Sequence, residues 1–239
     1  MARTVKEEEH TLKRNEILDA AQRIIYARGY EQMSIQDILD ALNISKGAFY
    51  HYFPSKQALL AAIIDRMLEE AKQIILPIVD DPQLSALEKL HGYFSTVARW
   101  KTARKDFLLA LLRVWYADEN LVVRHKFESA ALEWVTPLFA RIITQGVAEG
   151  VFSTPHPQQV GGVVVALMYR LGDVMAAPLL SGAPGEEVFR QLMEAAAVYT
   201  DSIERVLGAV SGSLSLFDAA VLRAWCFQDA LPQSEAKDH

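Results

Sequence analysis

Two short helices joined by a tight turn are predicted between Ser34 and Pro54. Ser34 is a favourable N-cap, and Asp37 three positions later completes a capping box, so a helix begins here. Asn43 follows its apolar stripe and tolerates a left-handed backbone, which predicts a sharp turn. Ser45 can cap a second helix, which Pro54 ends. Such short helices must bury their apolar faces against others, so the segment predicts a small helical domain.

The second of these helices carries two chemically different faces. At about 100° per residue, the inward face consists of Ala48, Phe49, Tyr52 and Phe53. The outward face consists of Lys46, Gly47, Tyr50 and His51. A cation, a close backbone approach, a phenol and an imidazole are groups that suit the DNA backbone. We therefore interpret this helix as a recognition helix for DNA.

Residues 13–60 resemble the DNA-binding domain of the tetracycline-repressor (TetR) family. That family has a first helix ending in Gly-Tyr or Gly-Phe, a Ser or Thr opening the second, and a Ser-Lys-Gly-x-x-Tyr-x-Tyr/His-Phe-x-Ser-Lys run. The matching residues are Gly29-Tyr30, Ser34, Ser45-Lys46-Gly47, Tyr50-His51-Tyr52-Phe53 and Ser55-Lys56. The chain departs at Asn43, where the family usually has Gly, and at Pro54, which removes one possible phosphate contact. The resemblance covers about the first quarter of the chain.

Motif and resemblance together give nine candidate DNA-binding residues. They are Ser34, Gln36, Ser45, Lys46, Gly47, Tyr50, His51, Tyr52 and Lys56. For each there is a structural alternative: the serines as caps, the lysines as solvated charges, the tyrosines as partly buried aromatics. The recognition helix has no Arg, Asn or Gln and so lacks the strongest bidentate base readers. We expect specificity to rest on apolar, backbone and shape contributions as well.

The charge distribution is compatible with DNA binding. The net charge is −6, but residues 1–56 contain eight Lys or Arg and eight Asp or Glu, so the acidic excess lies in the remainder. A neutral domain can bind DNA if its cations face one way. Non-specific affinity should be lower than for a basic domain, because phosphate neutralisation supplies most of it.

The whole chain is predicted to be all-α, with an N-terminal three-helix helix-turn-helix domain and a larger helical body. Its 51% hydrophobic content is ample for a core. The predicted parts are a DNA-binding domain (1–56), a connecting helix (56–75), a ligand-binding and dimerisation domain (84–231) and a disordered tail (232–239). The predicted helices are Lys13–Arg28, Ser34–Leu42, Ser45–Phe53, Lys56–Ile75, Ser85–Arg104, Asp106–Ala117, Asn120–Gly150, Pro157–Leu180, Gly185–Leu207 and Leu216–Leu231. Pro77 should lie beyond the connecting helix, and Pro137 should kink or split its own.

The body contains aromatic residues with polar groups among them, which is the composition of a small-molecule pocket. The candidate ligand-binding residues are Trp100, Arg104, Trp115, Tyr116, Phe127, Trp134, Tyr169, Arg170 and Asp173. An ordinary helical core is the alternative for each aromatic. Arg170 and Asp173 lie three apart in an apolar helix and could pair with each other, in a pocket or a dimer seam.

The resemblance also implies a homodimer, formed by the last two helices of the main body. Val160–Leu180 and Glu186–Leu207 occupy that place, and the alternative is a core within one chain. The first is the longest apolar stretch, but Arg170, Asp173 and Pro178 interrupt it. No membrane span is therefore expected, and the helix is interpreted as buried on most sides.

Other classes of protein find little support in the sequence. The six histidines form no His-x-x-x-His pair, and phosphate-loop, dinucleotide-binding and serine-hydrolase motifs are missing, so no metal, cofactor or catalytic residue is predicted. Cys226 is the only cysteine and the N-terminus lacks an apolar signal region, which favours the cytoplasm. The prediction is a regulator, most simply a repressor, released from a near-palindromic operator by a small, largely apolar effector. The alternatives are a partner-regulated DNA-binding module and a helical enzyme or carrier.

Overall fold

The computed structural model describes residues 2–227, with the side chains of 2–7 and 119 left aside. These residues form ten α-helices, one short 3-10 turn and no strand, which confirms the all-α prediction. The helices are α1 (Ala2–Arg28), α2 (Ile35–Leu42), α3 (Lys46–Tyr52), α4 (Lys56–Asp80), α5 (Ala86–Thr102), α6 (Lys105–Trp115), α7 (Leu121–Ala148), α8 (Pro157–Leu180), α9 (Gly185–Leu207) and α10 (Ala219–Cys226). The tail predicted at 232–239 lies outside the described residues.

The helix-turn-helix has the local structure that its sequence predicts. The Ser34 hydroxyl accepts from the Asp37 backbone N–H at 3.1 Å, and the Asp37 carboxylate accepts from the Ser34 N–H at 2.7 Å. Asn43 has φ 49° and ψ 49°, and Ser45 caps α3 by accepting from the Ala48 N–H at 3.1 Å. Local hydrogen bonds at the helix ends therefore set the angle between α2 and α3.

A closed apolar core supports this motif. The fully buried side chains of the first helices include Ile17, Leu18, Ile25, Ile38, Phe49, Leu59 and Ile63. Phe49 is 0% exposed and Phe53 is 2% exposed, as the inward face of α3 predicts. Burial of a Phe side chain contributes about 1.5–3 kcal/mol, so these two rings anchor a helix of only seven residues.

Three of the described helices contain an internal proline: Pro77 in α4, Pro137 in α7 and Pro178 in α8. The prediction that Pro77 lies beyond the connecting helix is wrong, since α4 runs to Asp80, and α7 is not split at Pro137. A proline removes one backbone hydrogen bond, but apolar packing on either side holds the helix together. Ile75 and Val79 are buried around the first proline.

The contacts divide the chain into two compact units. The first comprises the described residues up to Lys72 together with Asp106–Ala131, and the second comprises Gln73–Lys105 and the described residues from Leu132 onward. The division differs from the predicted domain boundaries, because α6 and the start of α7 join the N-terminal unit. The Tyr26 hydroxyl of α1 donates to the Asp106 carboxylate at 3.4 Å. These residues are 80 positions apart, so no local sequence pattern predicts the contact.

Within the second unit, α8 and α9 pack against each other. Among the described helices, α8 alone is long and apolar enough to cross a bilayer, yet only 28% of its most apolar window is buried. One such helix is weak evidence for a membrane span, since core helices of soluble proteins meet the same criterion. The prediction that α8 is buried on most sides is wrong for the single chain. Arg170 and Asp173 form an ion pair at 3.6 Å, with side chains 68% and 41% exposed.

The C-terminal segment is tied to the second unit by polar contacts. The buried Glu204 carboxylate accepts from the backbone N–H groups of Gly212 and Leu214 at 2.9 and 2.8 Å. The Trp225 indole donates to the Thr102 hydroxyl at 3.0 Å. α10 begins three residues later than predicted, because the Asp218 carboxylate caps it through the Ala220 N–H.

Candidate nucleic-acid interface

The outward face of α3 is exposed over its whole length. Lys46, Gly47, Tyr50 and His51 all lie on it, and the Tyr50 side chain is 41% exposed. The Lys46 ammonium lies 6.0 Å from the centre of the Tyr50 ring. The structure therefore brings these four predicted residues together on one accessible surface, which we call the α3 face.

Gly47 is not required by the packing of the chain itself. Its backbone has an ordinary helical conformation, and a Cβ built there would meet only the Ser45 hydroxyl, at 3.9 Å. Glycine in a helix costs about 1 kcal/mol relative to alanine. No contact within the described chain requires glycine at this position. The cost is therefore best explained by a DNA backbone that must come close to α3.

Three other predicted contacts already have partners at the end of a helix. Ser34 and Ser45 are N-caps, and the Ser34 hydroxyl also donates to the Asp37 carboxylate at 2.6 Å. The Ser34 hydroxyl, followed by its backbone N–H, lowers the pKa of the Asp37 carboxyl below its ordinary value. The Gln36 amide donates to the Asp40 carboxylate at 2.7 Å. The capping alternative is therefore realised for both serines. The Ser34 O–H is already donated to Asp37, whereas Ser45 only accepts in its cap and keeps its O–H as a donor for DNA.

Lys56 and Tyr52 have intramolecular neighbours that the sequence did not predict. The Lys56 ammonium lies 4.4 Å from the centre of the Tyr30 ring and donates to the Glu31 carbonyl at 3.3 Å, so it contacts the connection between α1 and α2. The Tyr52 ring is half-buried against His10 of α1, with 4.6 Å between ring centroids.

His10 was missed as a candidate because α1 was predicted to begin only at Lys13. The helix begins at Ala2, and the His10 ring lies 5.7 Å from that of His51 as well as against Tyr52. The signal that could have found it is a run from residue 2 to residue 28 without Gly or Pro.

The nine candidate ligand-binding residues divide between the two units. In the first, the Trp115 and Phe127 rings lie edge to face at 5.1 Å, and Tyr116 lies 5.3 Å below the Arg124 guanidinium. In the second, the Arg104 guanidinium lies 4.5 Å from the Trp100 ring. Trp134 and Tyr169 are half-buried there, and Arg170 and Asp173 pair on the surface.

The Tyr93 phenol lies in the apolar interior of the second unit. Tyr93 is 5% exposed and packs among Phe94 and Phe139. Burial, with a smaller contribution from Tyr169, raises the pKa of the Tyr93 phenol above its ordinary value. The phenol therefore stays neutral at any physiological pH.

Comparison with known proteins identifies the N-terminal region. Residues 17–63 match the family model described as "Bacterial regulatory proteins, tetR family", from the middle of α1 into α4. Residues 17–63 therefore carry the DNA-binding domain of the TetR family. The match contains the whole helix-turn-helix, including the α3 face.

Relatives of the chain in sequence are also transcriptional regulators. The chain is 24% identical over 137 residues to the transcriptional repressor DhaR of Mycobacterium sp. (strain GP1), covering 57% of this chain and 68% of that one. It is 27% identical over 132 residues to the regulator EthR of Mycolicibacterium smegmatis, covering 48% and 61%. The Bacillus subtilis regulator YuxN is 32% identical over 124 residues, which is 41% of its length. The chain thus spans between two-fifths and about two-thirds of these TetR-type relatives.

The fold extends beyond the aligned sequence. A TetR-family regulator from Pectobacterium atrosepticum has a TM-score of 0.63 at 19% identity, covering 84% of this chain and 96% of that one. One from Haloarcula marismortui has a TM-score of 0.62 at 23% identity, covering 80% and 98%. Thermus thermophilus FadR, solved with lauroyl-CoA, has a TM-score of 0.56 at 21% identity, covering 80% and 94%. At these identities the likeness establishes the fold of the helical body and leaves its ligand open.

Proposed function

We propose that this chain is a TetR-family DNA-binding transcriptional repressor of the cytoplasm, which acts as a homodimer and is released from its operator by a small, largely apolar effector. The α3 face carries this proposal. It combines an exposed cation, phenol and imidazole with a glycine that the chain's own packing does not need.

Contacts to phosphate would dominate binding at this face. Lys46 supplies a point charge and Tyr50 a hydroxyl, while the absence of Arg, Asn and Gln from α3 leaves few strong base contacts. A dimer with two α3 faces would require a near-palindromic operator, with half-sites about 34–36 Å apart or more.

The α8–α9 pair supplies the surface for a second copy. Val163 of α8 and Met193 and Val198 of α9 are 48%, 37% and 56% exposed, and the sequence of α8 is apolar over most of its length. Exposed apolar surface on packed helices is typical of an interface. The Arg170–Asp173 pair neutralises its own charge there, so it opposes association less than two free charges would.

Effector control would act through α4, because this helix contributes residues to both units. Its N-terminal part is fastened to α1, where the Arg66 guanidinium donates to the Asp19 carboxylate at 2.7 Å and also to Gln22. An effector can shift operator affinity only by its difference in affinity for the bound and released states. Thermus thermophilus FadR was solved with lauroyl-CoA, which supports an apolar ligand class for this chain.

The test begins with duplexes selected from genomic fragments by the purified protein. Lys46→Ala should weaken binding to all selected duplexes and lower the slope of log affinity against log salt by about 0.9, the contribution of one phosphate contact. Lys126→Ala removes an exposed lysine of α7 and is the matched control, expected to bind as the wild type does. An unchanged salt slope in Lys46→Ala would remove Lys46 from the interface, and no enrichment of any duplex would contradict the proposed function.

A further inference from the structure

α1 extends well beyond what the helix-turn-helix needs. Among the residues of this helix whose side chains are described, 8–28, the buried apolar ones begin at Ile17, which is also where the family match begins. The helix itself begins at Ala2. At 1.5 Å per residue, the preceding part is about 22 Å long.

This N-terminal part of α1 lies along α3 near the α3 face. The His10 ring centroid is 4.6 Å from that of Tyr52 and 5.7 Å from that of His51, in an edge-to-face arrangement with the latter. One turn further along α1, the Arg14 guanidinium lies 5.3 Å from the centre of the Phe53 ring. His10 and His51 are both exposed, while Tyr52 is half-buried beneath them.

We propose that His10 and His51 together bind one backbone phosphate of the operator, so that His10 is a DNA-binding residue outside the helix-turn-helix. The proposal rests on the function proposed above. Each imidazole offers an N–H donor, and a protonated imidazole offers two with a positive charge. Two rings with centroids 5.7 Å apart can both reach a single phosphate group, and Tyr52 positions the His10 ring.

The described cations near the two imidazoles each have a neighbour of their own. The charged residues one turn from His10 along α1 are Lys6, Glu7, Lys13 and Arg14. Lys13 pairs with Glu16 at 2.7 Å, Arg14 lies over Phe53, and on α3 Lys46 lies over Tyr50. A metal ion fits the pair less well, because no group of three His, Cys, Asp or Glu side chains occurs among the described residues.

Binding should then be coupled to pH. Histidine is the side chain whose charge ordinarily changes between pH 5 and 8. A phosphate between two imidazoles favours their protonated forms, so by linkage protons favour the complex, and operator affinity rises as the pH falls. A purely structural role for His10 gives no such dependence on pH.

The experiment measures the affinity of the full chain for a selected duplex at pH 6.0 and pH 8.5, over a range of salt. His10→Gln should lose affinity about tenfold at pH 6.0, the value of one charge-assisted hydrogen bond, and little at pH 8.5. His10→Lys keeps a charge at both values, so it should restore binding and make it less dependent on pH. His156→Gln, an exposed histidine before α8, is the matched control and should bind as the wild type at both values.

The outcomes separate the two proposals. Binding of the duplex by the wild type with no change in His10→Gln at pH 6.0 overturns the phosphate site and leaves the proposed function intact. An equal loss at both pH values, with an unchanged salt slope and no restoration by His10→Lys, also overturns it and assigns His10 to packing alone. Failure of the wild type to bind any duplex overturns both. Thermal melts of the three variants check that α1 stays folded.

Discussion

At the scale of single residues, Gly47 and Gly161 have different structural surroundings. Gly47 lies in open space on the α3 face, whereas a Cβ at Gly161 of α8 would lie 2.8 Å from the Ala140 backbone nitrogen of α7. Among the described residues only the Ser45 hydroxyl comes near a Cβ at Gly47, whereas Gly161 allows α7 and α8 to touch. Substitution of each glycine by alanine therefore distinguishes a glycine needed for DNA binding from a glycine needed for helix packing.

Gly47→Ala should stabilise the protein by about 0.5–1 kcal/mol, because alanine has the higher helix propensity. It should also weaken operator binding, because the new methyl group would hold the backbone away from DNA. Denaturant unfolding and duplex affinity measure the two effects. Gly161→Ala is the comparison, with an expected loss of about 1–3 kcal/mol from overpacking. Unchanged affinity in a more stable Gly47→Ala would show that close approach is not needed.

At the scale of elements, short helices are held by their ends. α2 has only eight residues, and its capping box joins Ser34 and Asp37 through both a hydroxyl and a carboxylate. α5 begins with an equivalent box at Ser85 and Glu88, whose carboxyl pKa is also lowered by the serine. Because these pKa values are below the ordinary ones, the boxes stabilise the fold fully above the ordinary carboxyl range. That stabilisation is lost as the pH falls through the folded-state values.

Ser34→Ala should destabilise the first unit by about 1 kcal/mol at neutral pH, the usual cost of losing an N-cap. The pKa of Asp37 should rise toward its ordinary value, since the hydroxyl is the largest cause of its depression. An NMR titration of the Asp37 carboxyl carbon, with unfolding at pH 7 and pH 3, tests both statements. An unchanged titration midpoint would mean that the box does not persist in solution.

At the scale of the whole molecule, one chain leaves apolar surface uncovered. Val163 of α8 and Met193 and Val198 of α9 are open to solvent, and only 28% of the most apolar window of α8 is buried. A second copy covering this surface would join two α3 faces in one molecule, and joining two weak contacts multiplies affinity without any new contact.

Val198→Glu should give a folded monomer with much weaker operator binding. The side chain is 56% exposed in the single chain, so the fold should tolerate a charge that a dimer interface would not. Sedimentation at micromolar concentration measures the oligomeric state. Val122→Glu in the first unit, at a residue 64% exposed, is the control and should remain dimeric. A monomeric wild type would refute the dimer.

Several features follow from residues close together in the sequence. The caps at Ser34 and Ser45, the left-handed turn at Asn43 and the bounds of α8 and α9 are predicted correctly. All depend on hydrogen bonds and backbone preferences that act within one helical turn. The outward face of α3 follows for the same reason, because helical periodicity assigns each of its residues to a side.

Other features depend on residues that only folding brings together. The sequence by itself determined the helices, the turn and the exposed face of α3. Tertiary structure decided that Lys56 reaches Tyr30, that α4 continues through Pro77, and that His10 lies against His51, 41 positions away. Local preferences act over three or four residues, whereas these contacts depend on how packed helices cross, and burial outweighs what a single turn prefers.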